Sequence, residues 1–129
     1  MPITALYAGL LAPLFVLLSI RVIAVRRSGR VAVGDGGNRL LLRRMRVHAN
    51  FAEYVPLALV LMALAEATAT PAWLIHPMGV ALLAGRIVHA IGMSREAERF
   101  RFRVVGMALT FTVLLAGSAA CLMAALRSV

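Results

Sequence analysis

The segment Arg46–Pro56, RVHANFAEYVP, runs without interruption into the apolar PLALVLMALA of residues 56–65. It therefore reads as one helix whose first turns carry Arg46, Asn50 and Glu53 and whose remainder is long and apolar enough to cross a bilayer. Ionisable groups near hydrocarbon are costly unless they face a bundle interior or a polar cavity, so they mark a candidate site. At ~100° per residue the spacing i, i+4, i+7 keeps the three within about 60° of one another, as a single polar stripe. A cation, an amide and a carboxylate in one stripe can hold a small zwitterion. Arginine grips a carboxylate through paired N–H donors, glutamate accepts from an ammonium, and asparagine bonds to amides. An internal Arg46–Glu53 pair that makes the helix end tolerable accounts for the same residues. His48 falls nearly opposite the stripe, towards a neighbouring helix or the headgroups.

The rest of the chain agrees with a membrane setting. Its 129 residues fit one domain, and 62% hydrophobic content with a mean hydropathy of +0.90 lies outside the range of soluble domains. All fourteen basic residues are arginine, against five acids, for a formal charge of +9. In a soluble domain that balance would suggest nucleic acid. Here the arginines cluster between apolar runs, as in segments held against anionic headgroups on the cytoplasmic side. Aromatic residues make up 6% and do not interleave with the basic ones, which argues against a single-strand binder. The lone Cys121 sits in an apolar run and excludes intramolecular disulfides and cysteine-cluster metal sites, leaving a buried structural thiol. His48, His76 and His89 lack metal-ligand spacing, so no metal is expected.

Four apolar runs, at residues 3–25, 41–67, 72–93 and 103–126, each approach the ~20 residues that span a bilayer as a helix. The expected fold is thus an all-α membrane protein with a four-helix bundle in one domain. A barrel is excluded because the runs lack period-two alternation. The first run has no basic region before it and no small-residue cleavage site, so it reads as a retained helix and not a signal peptide. Pro13 is expected to bend it. Asp35-Gly36-Gly37-Asn38 reads as a turn needing positive φ, and Thr68–Pro71 as a tight turn between antiparallel neighbours. The second helix is about 42 Å long at ~1.5 Å per residue, more than the ~30 Å hydrocarbon core, so its first turns protrude. Arginine counting puts the loops around residues 26–46 and 94–103 in the cytoplasm and both termini outside, opposed only by Arg127.

The third helix adds Arg86 and His89, one turn apart, in the same membrane half as the stripe. Alternatively, Arg86 pairs with Glu53 or Glu66 and His89 merely packs. Arg103 opens the fourth run at that face, where a guanidinium can lower a thiol pKa or simply anchor the interface. Glu66 is expected at the far interface.

These residues resemble the MAPEG family, the membrane-associated proteins in eicosanoid and glutathione metabolism. The resemblance spans the chain. It rests on Arg46, Asn50, Glu53, Tyr54 and Pro56 at the family's spacing, on the pair Arg86 and His89, and on the arginine opening the fourth helix. GDGGNRLLLRRMRVHANFAEYVPLALVL looks most like the family's small bacterial branch. The resemblance implies a homotrimer in a bacterial inner membrane. It also implies glutathione as co-substrate near the cytoplasmic face, between subunits, and a lipophilic acceptor arriving from the bilayer. Arg46, Asn50, Glu53 and Tyr54 would bind the tripeptide, with Glu53 on its amino end. Arg86 and His89 would line the site, Arg27 (or Arg26) would meet a carboxylate, and Arg103 (or Arg101) would stabilise the thiolate as the catalytic group. Met93, Val104 and Met107 replace the tyrosine and the serine and tyrosine of better-equipped members. The implied activity is a glutathione transferase or glutathione-dependent peroxidase acting on lipophilic electrophiles. A non-catalytic lipid-binding or scaffold member of the fold is the alternative. A small proton-coupled exporter ranks last, because the first helix contains no acid.

Overall fold

Four helices follow the four apolar runs: α1 (Pro2–Gly29), α2 (Arg39–Ala67), α3 (Ala72–Met93) and α4 (Phe100–Ser128). The computed structural model describes residues 1–128. All four helices are long and apolar enough to cross a membrane. The predicted bounds of α3 hold as drawn, and α2 starts two residues earlier. α1 continues four residues beyond the apolar run, through Arg26 and Arg27, and α4 begins three residues earlier, at Phe100. Hydropathy marks where hydrocarbon ends, whereas the helix ends where its backbone is capped. Arg30 caps α1 in the left-handed region at φ 52°, and the Val31 amide bonds back to the Arg26 carbonyl at 3.0 Å.

The connections keep the helices antiparallel. In the first loop Asp35 Oδ1 accepts from the Gly37 amide at 3.0 Å, and Gly36 and Gly37 take φ of 57° and 75° as expected of the turn. Asn38 then caps α2, its side-chain oxygen accepting from the Leu41 amide at 3.0 Å. The turn after α2 closes with the Thr70 amide on the Ala65 carbonyl at 3.0 Å. Glu66 lies at that end, as expected of the far interface, and also docks α1. It accepts from the Ile3 and Thr4 amides at 2.9 and 2.8 Å and from Thr4 Oγ1 at 2.7 Å, satisfying donors that a helix start leaves open.

α3 is the central helix, packed on α1, α2 and α4, and α2 also contacts α1 and α4. The core is apolar and layered. Leu11 and Leu18 of α1, Phe51, Val55 and Met62 of α2, Ile75 and Leu82 of α3, and Val113 of α4 are buried. Tyr7 lies over Gly79, with its hydroxyl 3.2 Å from His76 Nδ1. Outward faces carry Leu10, Leu17, Leu57, Val60, Leu115 and Leu122, which a bilayer would solvate. His48 points away from the polar stripe as the wheel predicts. It stacks on Phe15 at 4.6 Å, with Nε2 2.9 Å from Ser19 Oγ.

Candidate functional site

Arg86 is the centre of the polar half of the bundle. Only 2% exposed, it is the largest fully buried side chain. Nη1 donates to Asn50 Oδ1 at 2.6 Å, and Nη2 donates to Thr110 Oγ1 at 2.7 Å and to the Gly106 carbonyl at 3.3 Å. Nη2 also approaches Met107 Sδ at 3.5 Å. Three helices thus meet on one guanidinium. Among the described residues no carboxylate pairs with it, and its Nε is buried without a partner. The expected alternative, pairing with Glu53 or Glu66, is therefore not what the fold uses. A buried cation without a counter-ion is unusual because desolvation is only partly repaid by neutral acceptors.

The close approach of α4 that supplies Thr110 depends on Gly106. A Cβ there would lie 2.6 Å from the Gly85 carbonyl oxygen and from His89 Cβ. Gly106 therefore seats α4 directly on the backbone of α3, beside His89, which is 2% exposed. Thr110 Oγ1 in turn donates to the Gly106 carbonyl at 2.9 Å.

With Oδ1 of Asn50 bonded to Arg86, the N–H donors of its amide are the groups left for other partners. On either side of it stand Arg46 and Glu53, 3.8 Å apart and 53% and 51% exposed. The internal pair exists, but it is long and open. Such a pair is worth little when solvated, which leaves both groups available to a ligand. Tyr54 sits edge-on to Phe111 at 5.5 Å, closing the stripe against α4.

Nearer the basic end, Arg39, Arg43, Arg46 and Arg103 line a pocket of about 250 Å³ together with Leu42, Met93 and Glu98. Glu98 bonds Arg103 at 3.0 Å and Arg43 at 3.3 Å. The Arg103 guanidinium, and then that of Arg43, hold the Glu98 carboxyl below the usual carboxylate range. Arg103 also borders a second, more apolar groove along Phe100, Val104, Met107 and Phe111. Arg101 is exposed and lines neither cavity.

The fold thus gathers Arg46, Asn50, Glu53, Tyr54, Arg86, His89 and Arg103 at one end of the bundle. It does not bring Arg27 to them: Arg27 is exposed without a side-chain partner among the described residues, while Arg26 ties its own loop through the Gly34 carbonyl at 2.8 Å. Thr110, Gly106, Glu98 and Arg43 escaped the sequence reading as site residues. For Thr110 a signal existed, since Arg103, Met107 and Thr110 repeat the i, i+4, i+7 spacing of the α2 stripe. Cys121 is half-buried, with its thiol 3.5 Å from the Leu61 carbonyl, far along the bundle. Among the described residues no three histidine, cysteine or acidic side chains converge as a metal site would require.

Comparison with known proteins places the chain in a family. The profile of the MAPEG family matches residues 4–123. Inner membrane protein YecN of Escherichia coli K12 is 42% identical over 113 residues, covering 88% of this chain and 85% of YecN, and the YecN of Escherichia coli O6:H1 strain CFT073 matches to the same extent. No solved structure matches. With α2 and α3 and most of α1 and α4 inside the matched region, the chain is a membrane protein of the MAPEG family.

Proposed function

We propose that the chain is a glutathione-binding protein of the inner membrane, acting as a homotrimer that joins glutathione to lipophilic electrophiles or reduces lipophilic peroxides with it. One observation carries the reading. A buried Arg86, without a carboxylate partner among the described residues, holds Asn50 beside an Arg46–Glu53 pair that is half-exposed in the N-terminal half of a membrane helix. Lipid cannot solvate that pair, so a second subunit and a polar ligand are the groups that suit it. Glutathione complements it, with carboxylates for Arg46 and for Arg27 of a neighbouring copy, an ammonium for Glu53, and peptide amides for Asn50 and Tyr54. The designation of its relatives as inner membrane proteins supports the location, and the crowding of arginines at this end supports a cytoplasmic face for it.

In this mechanism Arg103 stabilises the thiolate by charge, and the thiol proton leaves to solvent. The sulfur then forms a bond to the electrophilic carbon as the leaving group departs with its electron pair. The groove along Val104, Met107 and Phe111 suits an apolar acceptor reached from the bilayer.

A second reading, a non-catalytic lipid-binding member of the family, is favoured by Val104 and Met107. They put no hydroxyl next to Arg103, so hydroxyl-assisted steps are missing. Lipid co-purifying with a protein that conjugates none of a panel of electrophiles would select it. The first reading predicts that glutathione raises the melting temperature of the detergent-purified oligomer, with about 2.7 kcal/mol gained at a hundred times Kd. No shift at millimolar glutathione in a folded oligomer would overturn it.

A further inference from the structure

The pocket at the basic end holds four guanidinium groups, Arg39, Arg43, Arg46 and Arg103, against one carboxylate, Glu98. Glu98 sits between two of them, with one oxygen on Arg103 at 3.0 Å and the other on Arg43 at 3.3 Å. It ties the start of α4 to the first turns of α2. Its position is built by the backbone: the Arg99 amide bonds to the Gly92 carbonyl at 2.9 Å, which folds the loop back over α3. Gly92 permits this, since a Cβ there would lie 2.7 Å from the Arg103 amide nitrogen. The loop's other acid, Glu96, is exposed and makes no ion pair among the described residues. One carboxylate of two is thus selected by fold geometry to face the arginines.

We infer that Glu98 is an internal anion that competes with the ligand: it occupies Arg43 and Arg103 until an entering carboxylate or thiolate displaces it, and so sets the affinity of the pocket for anions. The inference rests on the reading of Arg46 and Arg103 as ligand-binding groups. A pocket of about 250 Å³ with three more cations than anions attracts a further negative group. The two bonds to Glu98 are partly solvated, with Glu98 23% and Arg103 45% exposed. Exposed pairs of this kind exchange partners at small cost. Glu98 therefore keeps the arginines from repelling one another without blocking a ligand permanently. On this inference Arg103 acts on a thiol only after Glu98 has moved.

The test is calorimetric titration of two probes, inorganic phosphate and glutathione, into detergent-solubilised wild type, Glu98→Gln and Glu98→Ala, each first shown by its melting curve to be folded. Both variants should bind phosphate about three- to tenfold more tightly than wild type, the range that loss of two partly exposed ion pairs allows. Glutathione should gain by a similar factor. Equal or weaker phosphate binding by both variants, or no phosphate binding by any of the three proteins, overturns the inference. Tighter phosphate binding without glutathione binding supports it and overturns the glutathione reading instead. If wild type binds glutathione and neither variant gains for either probe, the glutathione reading stands and the competing anion is lost.

Discussion

Among single residues, a guanidinium buried among neutral acceptors organises the polar half of the bundle. Thr110 and Asn50 hold Arg86 from two helices, and each supplies a short bond of 2.6–2.7 Å. Losing one hydrogen bond to a charged group costs about 1.5–3 kcal/mol. Thr110→Val should therefore lower thermal stability in detergent by roughly that amount, while Thr110→Ser, which keeps the acceptor, should stay near wild type. A Thr110→Val protein as stable as Thr110→Ser would mean that the Gly106 carbonyl suffices for Nη2. Arg46, Asn50, Glu53, Arg86, His89 and Arg103 were legible in the sequence because polar residues are conspicuous against hydrocarbon-forming neighbours. Thr110 was legible only as the i+7 neighbour of Arg103, since one hydroxyl in an apolar helix is ordinarily satisfied by its own backbone and gains meaning only when Arg86 is brought beside it. Glu98 was hidden differently: it lies in a loop with another glutamate and several arginines, and only the backbone path selects it.

Among the helices, the decisive contact is the approach of α4 to α3. Gly106 places the Gly85 carbonyl and His89 where a side chain would collide, whereas nothing lies within 4 Å of a Cβ at Gly9 in α1. Gly106→Ala should destabilise the bundle by roughly 1–3 kcal/mol through overpacking. Gly9→Ala should be neutral or stabilising by up to about 1 kcal/mol, because alanine is the better helix former. Melting curves of the two variants compare a contact effect with a propensity effect, and equal shifts would refute the close-approach argument. Helix bounds were legible where a cap coincides with the change in hydropathy: Pro71 precedes α3, whereas the start of α2, capped by Asn38, lies two residues before its apolar run. The end of α1 and the start of α4 were missed because Arg26, Arg27 and Arg101 lower the local hydropathy while remaining helical. Their long side chains reach polar surroundings without ending the helix.

Across the whole molecule, charge divides the bundle into a basic end carrying the site and an end with the tight turn at Thr68–Pro71. With Cys121 replaced by alanine, a cysteine at Thr70 should react with a membrane-impermeant maleimide in intact cells, and one at Ser28 only after lysis; the reverse pattern would invert the topology. The loop that links α3 to α4 should respond to acid. Arg103 and Arg43 lower the Glu98 pKa, so the stability Glu98 supplies is fully present above its unfolded value of ~4.3 and is lost as pH falls through the lower folded value. Between about pH 5 and about pH 3 the wild type should lose more thermal stability than Glu98→Gln, which has no proton to gain there; parallel losses would show that Glu98 is not held by the arginines in solution. If the polar residues gathered around Arg86 form a glutathione site with divided roles, glutathione titration followed by thiolate absorbance reads binding and activation together. Wild type should develop a saturable thiolate signal, Glu53→Gln should require more glutathione to reach it, and Arg103→Leu should bind glutathione with a reduced signal at saturation. Absence of any saturable signal or binding in folded wild type would contradict the claim, and equal effects of the two substitutions on both affinity and signal would contradict the division of roles.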